Sequence, residues 1–266
     1  MRVNLKDASE RLLVETYLNH ILSAQSDEEL NFLKHKLIHT YEVVEAAKDL
    51  VKYTQPALSQ RDEMLVLQAA LLHDIGRVYQ FSEGRYVPDA DHGLMGAGLL
   101  KKAMPNNKTV IETTKWHNHS PSEKDPNEVA FYLNYVRDAD IIANVRHNTD
   151  NILTVFKNLK NIVKKSELNL YLDDELIAAA KEKRSCIYKR YKRESFLQVI
   201  LQQIGWKYNI LTPAGKLLVK QEKIFVRLRD AVIDKLVDVL DGSIQEKQDM
   251  KKLIFELYPD EVLNED

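Results

Sequence analysis

The stretch Gln68-Ala69-Ala70-Leu71-Leu72-His73-Asp74-Ile75-Gly76-Arg77 decides how this chain reads, because an almost wholly apolar run ends on an adjacent histidine and carboxylate. From Met64 to Leu72 the residues are apolar nearly all round, which predicts a helix buried in the middle of a domain rather than on its surface. His73 and Asp74 then lie at or near a core. An ionised carboxylate there is very costly without a compensating charge, and a divalent metal is a good one. Gly76, just after the pair, fits a helix end or a sharp turn.

Outward from this stretch, the chain places His39 in Lys36-Leu37-Ile38-His39-Thr40-Tyr41 and His92 in His92-Gly93-Leu94-Met95-Gly96-Ala97. His117 follows in Trp116-His117-Asn118-His119, and Asp140 in Arg137-Asp138-Ala139-Asp140-Ile141-Ile142. Taken singly, each histidine reads as an ordinary interior or surface residue. The series taken together, in order, spacing and context over roughly residues 30 to 150, resembles the HD-domain metal-dependent phosphohydrolase superfamily.

The resemblance implies that His39, His73, Asp74 and Asp140 ligate one metal ion, with Asp74 bridging to a second ion held by His92 and His117. Imidazole nitrogen and carboxylate oxygen together suit manganese, iron, cobalt, nickel or zinc, with magnesium also admitted, as one or two ions. Two such ions can activate a water and hold phosphate oxygens. His119 remains the rival of His117, and Asp138 the rival of Asp140 and otherwise a candidate to orient it. Gly93, Gly96 and Gly98 would allow close helix approach around His92. Asp74 and Arg77 are the catalytic candidates. Arg77 stands where many relatives carry Lys, and it could meet a substrate phosphate in a bidentate geometry.

Departures narrow the class. The Gly-Tyr-Pro motif of cyclic-di-GMP phosphodiesterases is missing after His119, and no synthetase module accompanies the core. The expected activity is hydrolysis of a phosphomonoester or phosphoanhydride of a nucleotide-like small molecule. The alternative is a catalytically silent HD-like helical module for signalling or assembly, which loss of ligands would mark.

Composition agrees with a globular helical protein. In 266 residues, 44% hydrophobic and 29% charged, there are 8 Gly and 7 Pro, few for the many turns of an all-β fold. The single Cys186 leaves no internal disulfide and no Cys-based zinc site. No apolar run is long enough to span a membrane, and Arg2, Lys6, Asp7, Glu10 and Arg11 interrupt any secretory core. A cytoplasmic location is the expectation.

Helices are expected at 7–24, from Ser26-Asp27-Glu28-Glu29 as a capping box to Tyr53, at 59–74, 91–104, 108–117 and 128–147. Phe81 to Asp89 and Ser120 to Asn127 read as loops, the latter as one wall of a pocket opening. The fold class expected is all-α: an HD-like helical core with its N-terminal helix over 1–152, and an α-helical extension packed on it over 153–266. Segments 152–165, 173–204 and 213–241 carry amphipathic spacing that would close the pocket or make a homodimer contact. Lys181, Lys183, Arg184, Lys189, Arg190, Lys192 and Arg193, with Tyr188 and Tyr191 between, could track a nucleic-acid backbone. With a net charge of -2 a solvated helix face is the expectation, and nucleic acid is not expected as a partner.

Overall fold

The computed structural model describes residues 8–82, 85–87, 90–119, 126–160, 168–186 and 195–264. Expectations for Arg2, Lys6 and Asp7, for Ser120 to Asp125, for 161–165, and for Tyr188, Lys189, Arg190, Tyr191, Lys192 and Arg193 lie outside the described residues. The fold is all-α. It divides into two compact units, Met1–Ala143 with Thr212–Gly215, and Asn144–Leu211 with Lys216–Asp266.

The first unit contains α1 (Ala8–Leu22), α2 (Asp27–Tyr53), α3 (Gln60–Leu72), a 3-10 helix (Ile75–Tyr79), α4 (His92–Ala103), α5 (Lys108–Trp116) and the start of α6 (Ala130–Lys160). Short polar residues begin four of these helices. The side chains of Ser26, Ser59, Asp91 and Asn107 each accept a backbone N–H of the first turn. At α2 the Ser26 hydroxyl accepts the Glu29 N–H, and the Glu29 carboxylate accepts the Gln25 N–H. The buried face is continuous, with Leu13, Tyr17, Leu33, Val43, Leu50, Val66, Leu72, Ile75, Leu100, Leu133 and Ile142 all fully enclosed. Burying each such side chain stabilises the fold by about 1.5–3 kcal/mol before the ordering entropy is counted.

Two expectations are corrected here. Phe81 to Asp89 is not simply a loop, because Phe81–Ser82 and Arg85–Tyr86 pair as antiparallel strands in the register Phe81↔Tyr86. The rings of Phe32, Phe81 and Tyr86 cluster with centroids 5.2 to 5.4 Å apart, and this aromatic contact holds the hairpin to α2. Nor does a helix end near His147: α6 runs on to Lys160, absorbing the non-helical Asn151 (φ -115, ψ 18) as a kink.

The second unit contains the rest of α6, α7 (Asp174–Lys181), α8 (Phe196–Gly205), α9 (Pro213–Gln221) from Lys216 onward, α10 (Ile224–Ala231), a π-helical turn (Val232–Leu236), α11 (Val237–Val239), α12 (Ile244–Leu257) and α13 (Asp260–Asn264). Its core is built from Leu197, Leu201, Ile204, Leu218, Phe225, Leu228, Val232, Leu236 and Tyr258. Capping boxes at Ser195 with Gln198 and at Ser243 with Glu246 start α8 and α12. The stretch 213–241, expected as one amphipathic helix, is broken where Lys223 adopts a left-handed conformation (φ 51) between α9 and α10. Likewise 173–204 is not one helix, since α7 stops at Lys181 and Lys183 turns left-handed (φ 53) beyond it. Amphipathic periodicity continues in phase across one such residue, so the hydrophobic pattern alone does not reveal the break.

Candidate metal centre

Five helices of the first unit bring the predicted residues together. His39 comes from the middle of α2, His73 and Asp74 from the end of α3, His92 from the first residue of α4, His117 from the end of α5, and Asp140 from α6. His39, His73, Asp74, His92 and His117 are buried, while the Asp140 side chain is 36% exposed.

Asp74 is the shared member. Its Oδ1 lies 3.2 Å from His92 Nε2 and 3.3 Å from His117 Nε2, and its Oδ2 lies 3.7 Å from His73 Nε2. His92 and His117 Nε2 are 3.2 Å apart, and His39 Nε2 meets Asp140 Oδ1 at 2.9 Å. Among the described residues, two groups have ligand atoms within 4.8 Å of one another: His39, His73 and Asp74, and Asp74, His92 and His117.

The donor chemistry fits a cation. His73 Nδ1 and His117 Nδ1 are held by the carbonyls of Ala70 and Thr114, each at 2.7 Å, so these carbonyls fix the rings with Nε2 as the lone-pair nitrogen. His73 Nε2 is fully buried with no hydrogen-bond partner, an orphan that a metal would satisfy.

The rivals separate. His119 is 43% exposed and pairs with Asp91 at 3.5 Å, away from the cluster that His117 joins. Asp138 is fully buried and accepts the Thr212 N–H at 2.8 Å and hydroxyl at 2.7 Å. Arg77 donates from Nε to Asp74 Oδ1 at 3.0 Å and from Nη1 to Gln80 at 2.8 Å. Its first observed role is thus to neutralise Asp74.

The glycines act through space. A Cβ on Gly76 would sit 2.0 Å from the His92 carbonyl oxygen and 2.5 Å from the Gly96 nitrogen. The bare Cα therefore lets the 3-10 helix touch the start of α4 and set His92 beside Asp74, a stronger demand than the turn expected there. Gly93 is similarly crowded by the Lys115 carbonyl, at 2.6 Å, but Gly98 has nothing within 4 Å and does not serve close approach.

Four residues at the site were not singled out from the sequence. Lys36 reaches Asp74 Oδ2 at 3.4 Å, and its place one turn before His39 on α2 was the available signal. Tyr17 on α1, fully buried, donates to the Asp74 carbonyl at 3.1 Å. Arg137 on α6 donates to the carbonyls of Trp116 and His119 at 3.0 and 2.8 Å, fastening the end of α5 that carries His117. Thr212 is 74 residues from Asp138 and gives no local signal.

A family model described as HD domain matches residues 37–145. Residues 37–145 are an HD domain. HD domains form a superfamily of metal-dependent phosphohydrolases, most members being hydrolases and some non-catalytic. The matched segment takes in His39, the His73-Asp74 doublet, His92, His117 and Asp140. No curated protein matches the chain, and no solved structure does. Among the described residues, no helix is long and apolar enough to cross a membrane.

The protonation pattern gives a first expected result. Burial pushes the His73 imidazole down to about 4, beyond what the neighbouring Asp74 carboxylate restores, so it is neutral and ready to ligate. Burial alone would also depress His39, but the hydrogen bonds to Asp140 and Glu42 outweigh it and raise His39 to about 9. In the metal-free protein at neutral pH, His39 therefore carries a proton that a metal must displace. Metal affinity should rise as pH climbs toward 9, with about one proton released per protein near neutrality. Conversely, the His39–Asp140 pair stabilises the metal-free fold fully below the ordinary histidine pKa, and that stability is lost as pH rises through about 9. Calorimetric titration with metal in buffers of different ionisation enthalpy reads the released proton directly. Binding heats independent of buffer would contradict the His39 assignment.

Proposed function

We propose that this protein is a metal-dependent phosphohydrolase acting on a phosphomonoester or phosphoanhydride of a nucleotide-like small molecule. One observation carries the reading: two groups of histidines share a single buried carboxylate, Asp74, inside an HD domain. In this proposal His39, His73, Asp74 and Asp140 would hold one ion, and Asp74, His92 and His117 would hold a second.

Bound divalent ions would supply Lewis acidity toward phosphate oxygens and a water made nucleophilic at neutral pH. The remaining chemistry belongs to the chain. Burial disfavours the Asp74 anion, but the Arg77 and Lys36 cations keep it well below the usual carboxylate range, so it stays ionised and acceptor-only at working pH. Asp140, desolvated but hydrogen-bonded by His39, is likewise held low. Arg77 Nη2 takes no acceptor among the described residues, and Lys36 stands on the other oxygen of Asp74. Both cations can favour the charge that develops on a transferring phosphoryl group. The carbonyls of Ala70 and Thr114 hold His73 and His117 in one orientation, so little reorganisation is needed when substrate arrives.

The test is a phosphate-release screen of the metal-loaded protein across mononucleotides, dinucleoside polyphosphates, alarmones and cyclic nucleotides. Turnover that a chelator stops and added metal restores is the expected result. Full metal occupancy without release from any of these classes would favour the silent module instead.

A further inference from the structure

We infer that the second unit carries a binding pocket for a small diphosphate-bearing anion, built on Lys183, Lys207, Lys216 and Lys220. It shares no residue with the metal centre. These four lysines line a cavity of about 290 Å³, together with Tyr208 and an apolar floor that includes Ile210 and Val219. Among the described residues, none of those lining it is acidic.

The lysines come from three separate segments, so the chain has to fold to assemble them. Lys183 lies on the left-handed residue after α7, Lys207 in the 3-10 turn Trp206–Asn209 that follows α8, and Lys216 and Lys220 one turn apart on α9. Placing Lys216 and Lys220 at i and i+4 sets like charges side by side on a helix, which by itself is unfavourable. Lys207, half-buried, donates to the Val262 carbonyl, and its ammonium lies 5.7 Å from the Tyr208 ring centroid. Four positive charges around one concavity raise the local concentration of anions.

The stoichiometry of charge selects the ligand. A diphosphate carries about three negative charges near neutrality, enough to engage several ammonium groups at once, where a carboxylate or a single phosphate would engage fewer. The volume, just below the usual range for small-molecule sites, suits a compact ligand rather than a protein surface. Free diphosphate and the diphosphate of a nucleotide share this chemistry. Tyr208 and the apolar floor would add contacts only for the nucleotide.

The experiment is calorimetric titration of the full chain with two probes that cannot be cleaved between their phosphorus atoms, methylenediphosphonate and the α,β-methylene analogue of ADP. Each is run on the unaltered protein, on Lys216→Glu/Lys220→Glu, on Lys216→Arg/Lys220→Arg, and on Asp74→Ala. Circular dichroism checks that the exposed substitutions leave the fold intact. We expect saturable binding that falls at least about tenfold in the glutamate pair, persists in the arginine pair, and survives Asp74→Ala. Survival in Asp74→Ala keeps this site separate from the proposed hydrolase, so either reading can fail alone. Tighter binding of the nucleotide analogue would assign the nucleotide as ligand, and equal binding the free diphosphate. The inference is overturned by no saturable binding at millimolar probe, by binding indifferent to the glutamate pair, or by binding that disappears in Asp74→Ala. Steeply salt-dependent binding of single-stranded RNA without binding of either probe would overturn it too, in favour of a nucleic-acid surface.

Discussion

Asp74→Ala is expected to strip the protein of metal and to abolish phosphate release together. Both candidate ligand groups contain Asp74, so one substitution removes a member of each. It also leaves the Arg77 guanidinium and the Lys36 ammonium without the carboxylate they neutralise, and these cations would then repel a divalent ion. Loss of a shared anionic ligand should lower metal retention by about a hundredfold or more. Hydrolysis should fall at least about a thousandfold, since a metal's charge stabilisation is worth several kcal/mol. Metal content by elemental analysis after dialysis, and phosphate release under saturating substrate, provide the two readings. Asp74→Asn preserves the side-chain volume while removing the charge, and it should behave like the alanine variant. Near-stoichiometric metal in Asp74→Ala would show that the carboxylate does not join the two groups.

The second large effect is expected at a residue with no chemistry of its own. Gly76→Ala should destabilise the metal-free fold by about 3 kcal/mol or more, because the added methyl meets backbone rather than a side chain that can turn aside. With the His92 carbonyl oxygen 2.0 Å from the added carbon, the 3-10 helix and the start of α4 must separate. That carries the His92 imidazole away from Asp74, so the ion it would share with His117 should be lost first. Gly98→Ala is the internal control. It has open space where a side chain would go and sits in the exposed interior of α4, where alanine is the better helix former by about 1 kcal/mol. Denaturant unfolding of the two variants should therefore move in opposite directions. Equal stability of Gly76→Ala and the unaltered protein would refute the close-approach argument.

The all-α class and the His73-Asp74 doublet were legible from local signals, whereas His39, His92, His117 and Asp140 stood out only through the resemblance carried by the whole series. An apolar run ending on His73-Asp74 announces a buried, charge-bearing helix end, and Ser59 and Asp91 announce the helix starts that place α3 and α4. What supports the site was much less legible. Tyr17 reaches Asp74 across 57 residues of sequence, and Thr212 reaches Asp138 across 74, so neither pairing leaves a trace in the surrounding periodicity. Arg137 fastens the carbonyls around His117, a role any cation at the right height on α6 could have filled. Lys36 could have been found, since it shares a helical face with His39. The breaks at Lys183 and Lys223 were hidden for another reason: a lysine in the left-handed region is uncommon, and composition gives no warning where glycine is absent.

The most direct test of the central claim, a metal centre organised on Asp74, is an anomalous-difference map from crystals of the metal-loaded protein. Two peaks joined by the Asp74 carboxylate are expected. One should lie about 2.0–2.2 Å from ligand atoms of His39, His73 and Asp140, and the other at the same distance from His92 and His117. No peak beside Asp74, or an ion with every one of these imidazoles more than about 4 Å away, would contradict it.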